Sequence, residues 1–391
     1  MNRIIIAATF WALISCNPQS EDGNKLDPLL ESISQEPDGL VGFGVAMVNS
    51  DSVLYKKGFG YANIQDSLPY TTTTTQNVAS ISKTFIGVGL MKAQEEGLLS
   101  LDDPVNQYLD FEVINPNFPD EEITIRHLAT HTSSIRDNEF YGKKSYVLKD
   151  SSLVASELLG VSFQNSAVHN MEDYLRAVLT PNGTLFTKDS YLNRAPGEQF
   201  EYSNIGATLA ALIIEKASSI PFDQYCKKYI FDALGMKNSG WSFEQISLEN
   251  HSRLYESSRH EIPLYSLITY PDGGLLTSIN DLAFYLKELI RGYHGKGQLL
   301  NHESYKELFK PQLTNNHFIH SDNPDLNEGI FISMDEHHMI GHSGRDPGVS
   351  TYMHFDSTKD IGYIVFTNTE MDEISYDQYQ RIINTIRIKN Q

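Results

Sequence analysis

The stretch Asn77–Leu90, NVASISKTFIGVGL, places two serines and a lysine within four positions and then runs apolar. If a helix opens near Ser80, then Ser80 and Lys83 lie one turn apart on the same face. A serine hydroxyl is a poor nucleophile until a base takes its proton. A lysine one turn away supplies charge, or acts as the base once burial lowers its pKa. The helix N-terminus adds partial positive charge and free backbone N–H groups. The same residues also read as an ordinary capped helix start, with Ser80 as N-cap and Lys83 in solvent. By composition, a Ser–Lys pair at this spacing arises about once or twice by chance in a chain this long. No other serine in the sequence has a lysine three residues later. The remaining sequence has to separate the two readings.

Two further constellations bear on it. Tyr-x-Asn occurs at Tyr61-Ala62-Asn63, Tyr191-Leu192-Asn193 and Tyr202-Ser203-Asn204. Only Tyr202 follows a turn-rich Ala-Pro-Gly-Glu-Gln-Phe segment and precedes a helical apolar run from Ile205 to Leu212. A loop-to-helix junction of that kind presents side chains into a cleft. Tyr61 ends a predicted strand, and Tyr191 lies in a polar loop. Gly341-His342-Ser343-Gly344 stands just before the C-terminal strands, where small residues let backbone and hydroxyl line a groove.

The whole chain bounds what these residues can serve. It has 391 residues, with 40% hydrophobic and 20% charged, which suits a globular protein with a substantial core. Its formal net charge of -20 repels phosphate backbones and argues against nucleic-acid binding. Two cysteines, Cys16 and Cys226, provide no disulfide framework.

Arg3 and the apolar run Ile4–Ile14 read as a secretory signal, too short for a transmembrane span. The run ends in Leu-Ile-Ser-Cys16, which resembles the lipobox of bacterial lipoproteins. Cys16 is therefore expected to carry lipid and to anchor the protein in the envelope. Asn17 in place of aspartate, and the acidic residues near Glu21, point to the outer membrane. Residues 1–16 are read as the leader and 17–36 as a tether and helix, with helical apolar spacing from Leu26 to Ile33. Residues 37–391 form the functional domain.

Within that domain, Gly42–Val48 and Ser52–Tyr55 flank a turn at Asn49-Ser50-Asp51 and predict a hairpin. Strands return at Thr351–Phe355 and Ile361–Phe366, and helical spacing from Tyr376 to Ile388 closes the chain. Strands at both ends with helices between them predict an α/β part (about 37–79 and 300–391) and a helical part (about 80–299).

Taken together, Ser80-x-x-Lys83, Tyr202-Ser203-Asn204 and His342-Ser343-Gly344 stand in the chain order of the penicillin-recognising serine hydrolases. The chain resembles the branch holding class C β-lactamases, D-alanyl-D-alanine carboxypeptidases and β-lactamase-like esterases. Ile123–Ser133 (ITIRHLATHTS), Phe231–Met236, Pro271–Ser278 (PDGGLLTS) and Gly341–Gly348 (GHSGRDPG) carry the likeness further. The resemblance implies a β-lactamase-like fold, with a mainly antiparallel sheet, flanking helices and an all-α region.

It further implies Ser80 as nucleophile, with Lys83 and Tyr202 sharing acid–base duty. Asn204 is expected to position the substrate carbonyl, and His342 to tune Tyr202. The oxyanion hole would be the backbone N–H groups of Ser80 and Arg345, beside Ser343 and Gly344. No metal or cofactor is implied. Substrates would be small molecules or short peptides, cleaved at an ester or amide, and the oligomeric state is left open.

Two positions depart from the family pattern. Ser134 stands where glycine is usual, and His342 stands in place of lysine. A histidine there is expected to change charge near neutrality and to bind carboxylates less well than lysine. His127 and His131 lack the glutamate of a zincin and read as structural. His337 and His338 read as loop residues, and Cys226 as a packed small hydrophobe. The rival from another class is a non-catalytic surface lipoprotein that binds peptidoglycan or a partner. Such a protein has no need of a nucleophile with its base.

Overall fold

The computed structural model describes residues 23–153, 156–167, 169–318 and 326–388; Cys16, the leader and most of the tether lie outside them. Strands β1 (Gly42–Val48) and β2 (Val53–Asn63) form the predicted hairpin. The turn between them is built by Asn49, whose Oδ1 accepts the N–H groups of Asp51 (3.0 Å) and Ser52 (2.7 Å). Short β3 (Leu68–Pro69), β4 (Asn327–Glu328) and β5 (Ser333–Met334) lie toward the edges. The C-terminal strands are β6 (Met339–Asp346), β7 (Val349–Asp356) and β8 (Ile361–Thr367). All pair antiparallel in one eight-stranded sheet of order β4-β5-β6-β7-β8-β1-β2-β3. The β1–β8 ladder, from Phe43↔Thr367 to Val48↔Gly362, joins the two ends of the chain as expected.

Both faces of the sheet are covered, and the neighbouring strands β1 (GFGVAMV) and β8 (IGYIVFT) are accordingly apolar along nearly their whole length. Phe43, Val45 and Met47 of β1 pack under helices α1 (Gly23–Ser34) and α5 (Glu373–Ile388), against Leu26, Leu30 and Ile382. The alternate residues Ala46 and Val48 join the larger core on the other face. Three helices contribute to that core: α2 (Ser82–Glu95), α3 (Asn204–Ser218) and α4 (Ile279–Tyr293). Gly44 lets α4 close on the sheet, since a Cβ there would lie 2.6 Å from Ile279 Cγ1.

Three features differ from the sequence expectation. Helix α4, expected with the helical part, packs on the sheet through Ile279 and Leu286. The helical part also contains two-stranded ribbons, such as Tyr146–Leu148 with Tyr265–Leu267. Strands of two or three residues are too short to show alternation. Finally, the His342-Ser343-Gly344 box lies inside β6, not before the strands. Its small and polar residues conceal the alternation that marks Thr351–Phe355.

Candidate active site

Ser80 sits in a single 3₁₀ turn, Ala79–Ile81, and the α-helix proper begins two residues later at Ser82. The turn is held at several points. Val78 N–H donates to Leu275 O (3.0 Å), and Thr351 Oγ1 donates to Val78 O (2.8 Å). Ser82 Oγ donates to Ala79 O (2.6 Å) and accepts Leu275 N–H (3.1 Å). These bonds hold Ala79 at φ +48°, a left-handed conformation that costs a non-glycine residue about 1–2 kcal/mol. The two serines are thereby separated: Ser82 is buried and builds the turn, while Ser80 is partly open to the cleft.

Lys83 is fully buried, and its ammonium has three acceptors: Ser80 Oγ (3.1 Å), Asn204 Oδ1 (2.6 Å) and Asp272 O (2.7 Å). Burial works to lower its pKa, but Tyr202, Asp272 and Asp137 outweigh burial and carry it above the ordinary lysine value. The lysine is held as a cation, so burial does not make it the neutral base considered for it from sequence.

Tyr202 and Asn204 enter from the start of α3. Ser203 caps this helix through the Gly206 N–H (2.9 Å). Asp137 binds the same end, accepting from Asn204 N (3.1 Å), Ile205 N (3.0 Å), Ser203 Oγ (3.2 Å) and Asn204 Nδ2 (2.7 Å). Asn204 therefore links Asp137 to Lys83 through its amide; the second Nδ2 hydrogen is the one a substrate carbonyl would take. The Tyr202 hydroxyl interacts with both Lys83 and Ser80. Burial raises its pKa and the ammonium opposes the rise, with the net above the usual phenol value. The residue is nevertheless 38% exposed, since its ring borders the cleft while the hydroxyl meets the two inner side chains. The Lys83 Nζ lies 5.0 Å from the ring centroid.

The opposite wall is β6. Its partner β5 reaches only Ile340 and Gly341, so among the described residues no strand pairs with the edge from His342 to Asp346 on that side. Gly344 allows β6 to approach the nucleophile turn, because a Cβ there would lie 2.4 Å from Val78 O. His342 is buried, its ring 6.1 Å from that of Tyr202, and its Nδ1–H donates to Ser343 O (2.5 Å). Burial and the Lys83 charge lower its pKa to about 4. This corrects the expectation that His342 changes charge near neutrality: it is neutral there. Ser343 is exposed at the strand edge, and the Arg345 side chain, 65% exposed, pairs with Glu370 (3.1 Å).

The other tyrosines are placed differently. Tyr61 is 48% exposed on β2, whereas Tyr191 is buried and donates to Leu179 O (3.0 Å). His127 accepts the Thr124 N–H in a capping box, and Cys226 is fully buried. His131 accepts the Ser203 N–H (3.2 Å) and packs on Tyr202 with ring centroids 4.4 Å apart. It is a structural residue, as read, but one that orients the tyrosine.

Sequence reasoning missed Asp137 and Asp272. Asp137 follows the HTSSIR segment with no local signal. Asp272 is an acid in the otherwise small and apolar Tyr-Pro-Asp-Gly-Gly-Leu-Leu, a conspicuous exception that received no role.

With this geometry in place, the match to known proteins is direct: residues 30–382 match the Beta-lactamase family. The chain belongs to that family. Its members are serine hydrolases, and the fold is the β-lactamase-like one expected. Protein flp of Staphylococcus aureus is 24% identical over 367 residues, 91% of this chain; the chain spans only 65% of that relative's length. The octameric penicillin-binding protein homologue from Pyrococcus abyssi superposes with a TM-score of 0.72 at 25% identity, covering 94% of this chain and 77% of that one. D-amino acid amidase from Ochrobactrum anthropi shares the fold, with a TM-score of 0.67 at 18% identity, covering 93% of this chain and 99% of the amidase.

Proposed function

We infer that this family member hydrolyses an ester or amide of a small molecule or short peptide through an acyl-enzyme on Ser80. The observation that carries the reading is the Lys83 ammonium, 3.1 Å from Ser80 Oγ, with the Tyr202 hydroxyl interacting with both. The Lys83–Tyr202 pair first releases one proton to solvent, and Ser80 Oγ then attacks the carbonyl carbon as its proton passes to the Tyr202 phenolate oxygen, with Lys83 still an ammonium. The carbonyl π-bond opens to an oxyanion held by the N–H groups of Ser80 and Arg345, donors typically worth a few kcal/mol. When the intermediate collapses, the bond to the leaving group breaks and Tyr202 returns the proton to it. Water then repeats the sequence on the acyl-enzyme. Asn204 steadies Lys83 and the substrate carbonyl.

The neutral His342 bears on the substrate. Where a lysine would attract a carboxylate, this site offers an uncharged imidazole, which favours substrates without an anion at that position. Neutral esters and D-amino-acid amides fit this better than β-lactams or peptides ending in a free carboxylate, since both of the latter bring an anion to the position where the cation is missing. Lipidation at Cys16 would place the enzyme in the bacterial envelope, on the strength of the lipobox-like sequence. Hydrolysis rates on neutral acyl esters, D-Ala-D-Ala peptides and a chromogenic cephalosporin test the assignment. Activity greatest on the cephalosporin would contradict it.

A further inference from the structure

Asp272 is the carboxylate nearest in sequence to a Lys83 contact, and the family likeness gives it no task. Its backbone oxygen takes one Lys83 hydrogen, while its fully buried side chain is held by two separate elements. Tyr141, from the helix Glu139–Lys144, donates to Oδ1 (2.9 Å), and Thr208 of α3 donates to Oδ2 (2.9 Å). A buried carboxylate needs compensating charge, and so does a buried ammonium.

We propose that the Asp272 carboxylate is a positioning residue: it holds Lys83 as the ammonium ion bridging Ser80 and Asn204, so that Tyr202 is the group that gives up and takes the proton. This rests on the roles of Ser80, Lys83 and Tyr202 given above. The Asp272 carboxyl is raised by burial and pulled back by Lys83, Thr208 and Tyr141 to about 6, so it is largely ionised at neutral pH. Other groups share the field at Lys83. Asp137 faces it from the loop segment that binds the start of α3, and Glu328 of β4 and His131 and His342 act on it or feel it. Asp346 of β6 lies beside Gly273, takes the Tyr146 hydroxyl (2.6 Å) and repels Asp272. Asp272 differs from these in binding Lys83 through its own backbone while its carboxylate is fixed from two sides.

The sign of the effect separates this role from plain packing. Before attack, the Lys83–Tyr202 pair must lose one proton, and a nearby negative charge makes that loss harder. Removing the charge moves the acid limb of the reaction to lower pH. The test is the rate of fluorophosphonate labelling of Ser80 against pH, with the thermal midpoint recorded for each variant. Asp272→Asn should lower the midpoint of the acid limb by about one pH unit, the lower end of shifts from a close charge. Tyr141→Phe removes one donor but leaves the carboxylate ionised at the pH of that limb, so its midpoint should stay at the wild-type value. Asp272→Ser, which also removes the charge, carries the test if Asp272→Asn does not fold. An unshifted midpoint in the charge-removing variant, even with slower labelling, would overturn the proposal and leave the mechanism standing. Absence of labelling at Ser80 in the wild type would remove the mechanism and this role together.

Discussion

Lys83 Nζ lies 3.1 Å from Ser80 Oγ and donates toward it. The four residues from Ser80 to Lys83 cross from a 3₁₀ turn into an α-helix. That junction points the serine into the cleft while the lysine runs into the core. The lysine meets Asn204 and Asp272, two residues remote in sequence, so the catalytic geometry is completed only by the tertiary fold.

Of the three Tyr-x-Asn sites, only Tyr202 should matter for turnover. Tyr202→Phe keeps the ring against His131 and removes the proton carrier, so the rate should fall at least about 100-fold. Tyr61→Phe, on an exposed strand position, should change nothing. Tyr191→Phe should keep full activity and lose about 1 kcal/mol of stability with its bond to Leu179. Kinetics and thermal denaturation on the three variants check this.

Because His342 is held neutral with a pKa of about 4, the pH–rate profile between 6 and 8 should contain no inflection that disappears in His342→Asn. His342→Lys should shift the ratio of activities toward carboxylate-bearing β-lactams over neutral esters. An unchanged ratio would remove the charge argument.

Gly344→Ala should wedge β6 away from the nucleophile turn, since its Cβ would meet Val78 O at 2.4 Å. A backbone contact cannot yield as a flexible side chain can. The N–H groups of Ser80 and Arg345 proposed as the oxyanion donors should then separate, and one lost donor typically costs about 100-fold or more in kcat. The readout is kcat, with KM changing less.

Much of this was legible in the sequence. The hairpin and the C-terminal strand pair showed because their runs are apolar or alternating and each pair is joined by turn residues. The three motif boxes gave Ser80, Lys83, Tyr202, Asn204 and His342, which meet at one cleft. What stayed hidden depends on contacts between distant segments. Asp137 acts by binding the start of α3 some 67 residues later in the chain. Asp272 acts across 189 residues. The protonation state of His342 follows from burial beside Lys83, which no local pattern encodes.

At the other end of the chain, Cys16 should carry lipid, and Cys16→Ser should move the protein from the membrane to the soluble fraction. Bacterial lipoproteins carry several acyl chains, and each buried CH₂ adds about 0.8 kcal/mol of membrane affinity. Equal membrane retention of the variant would sink this expectation.

The central claim is that Ser80 is the nucleophile, and mass spectrometry of the fluorophosphonate-labelled peptide tests it most directly. Ser82 lies two residues away, but its hydroxyl is buried and bonded to Ala79 and Leu275. The account predicts a single adduct on Ser80 that persists in a folded Ser82→Ala, forms slowly in Lys83→Ala and is absent from Ser80→Ala. An adduct on Ser82, or labelling that survives Ser80→Ala, would contradict it.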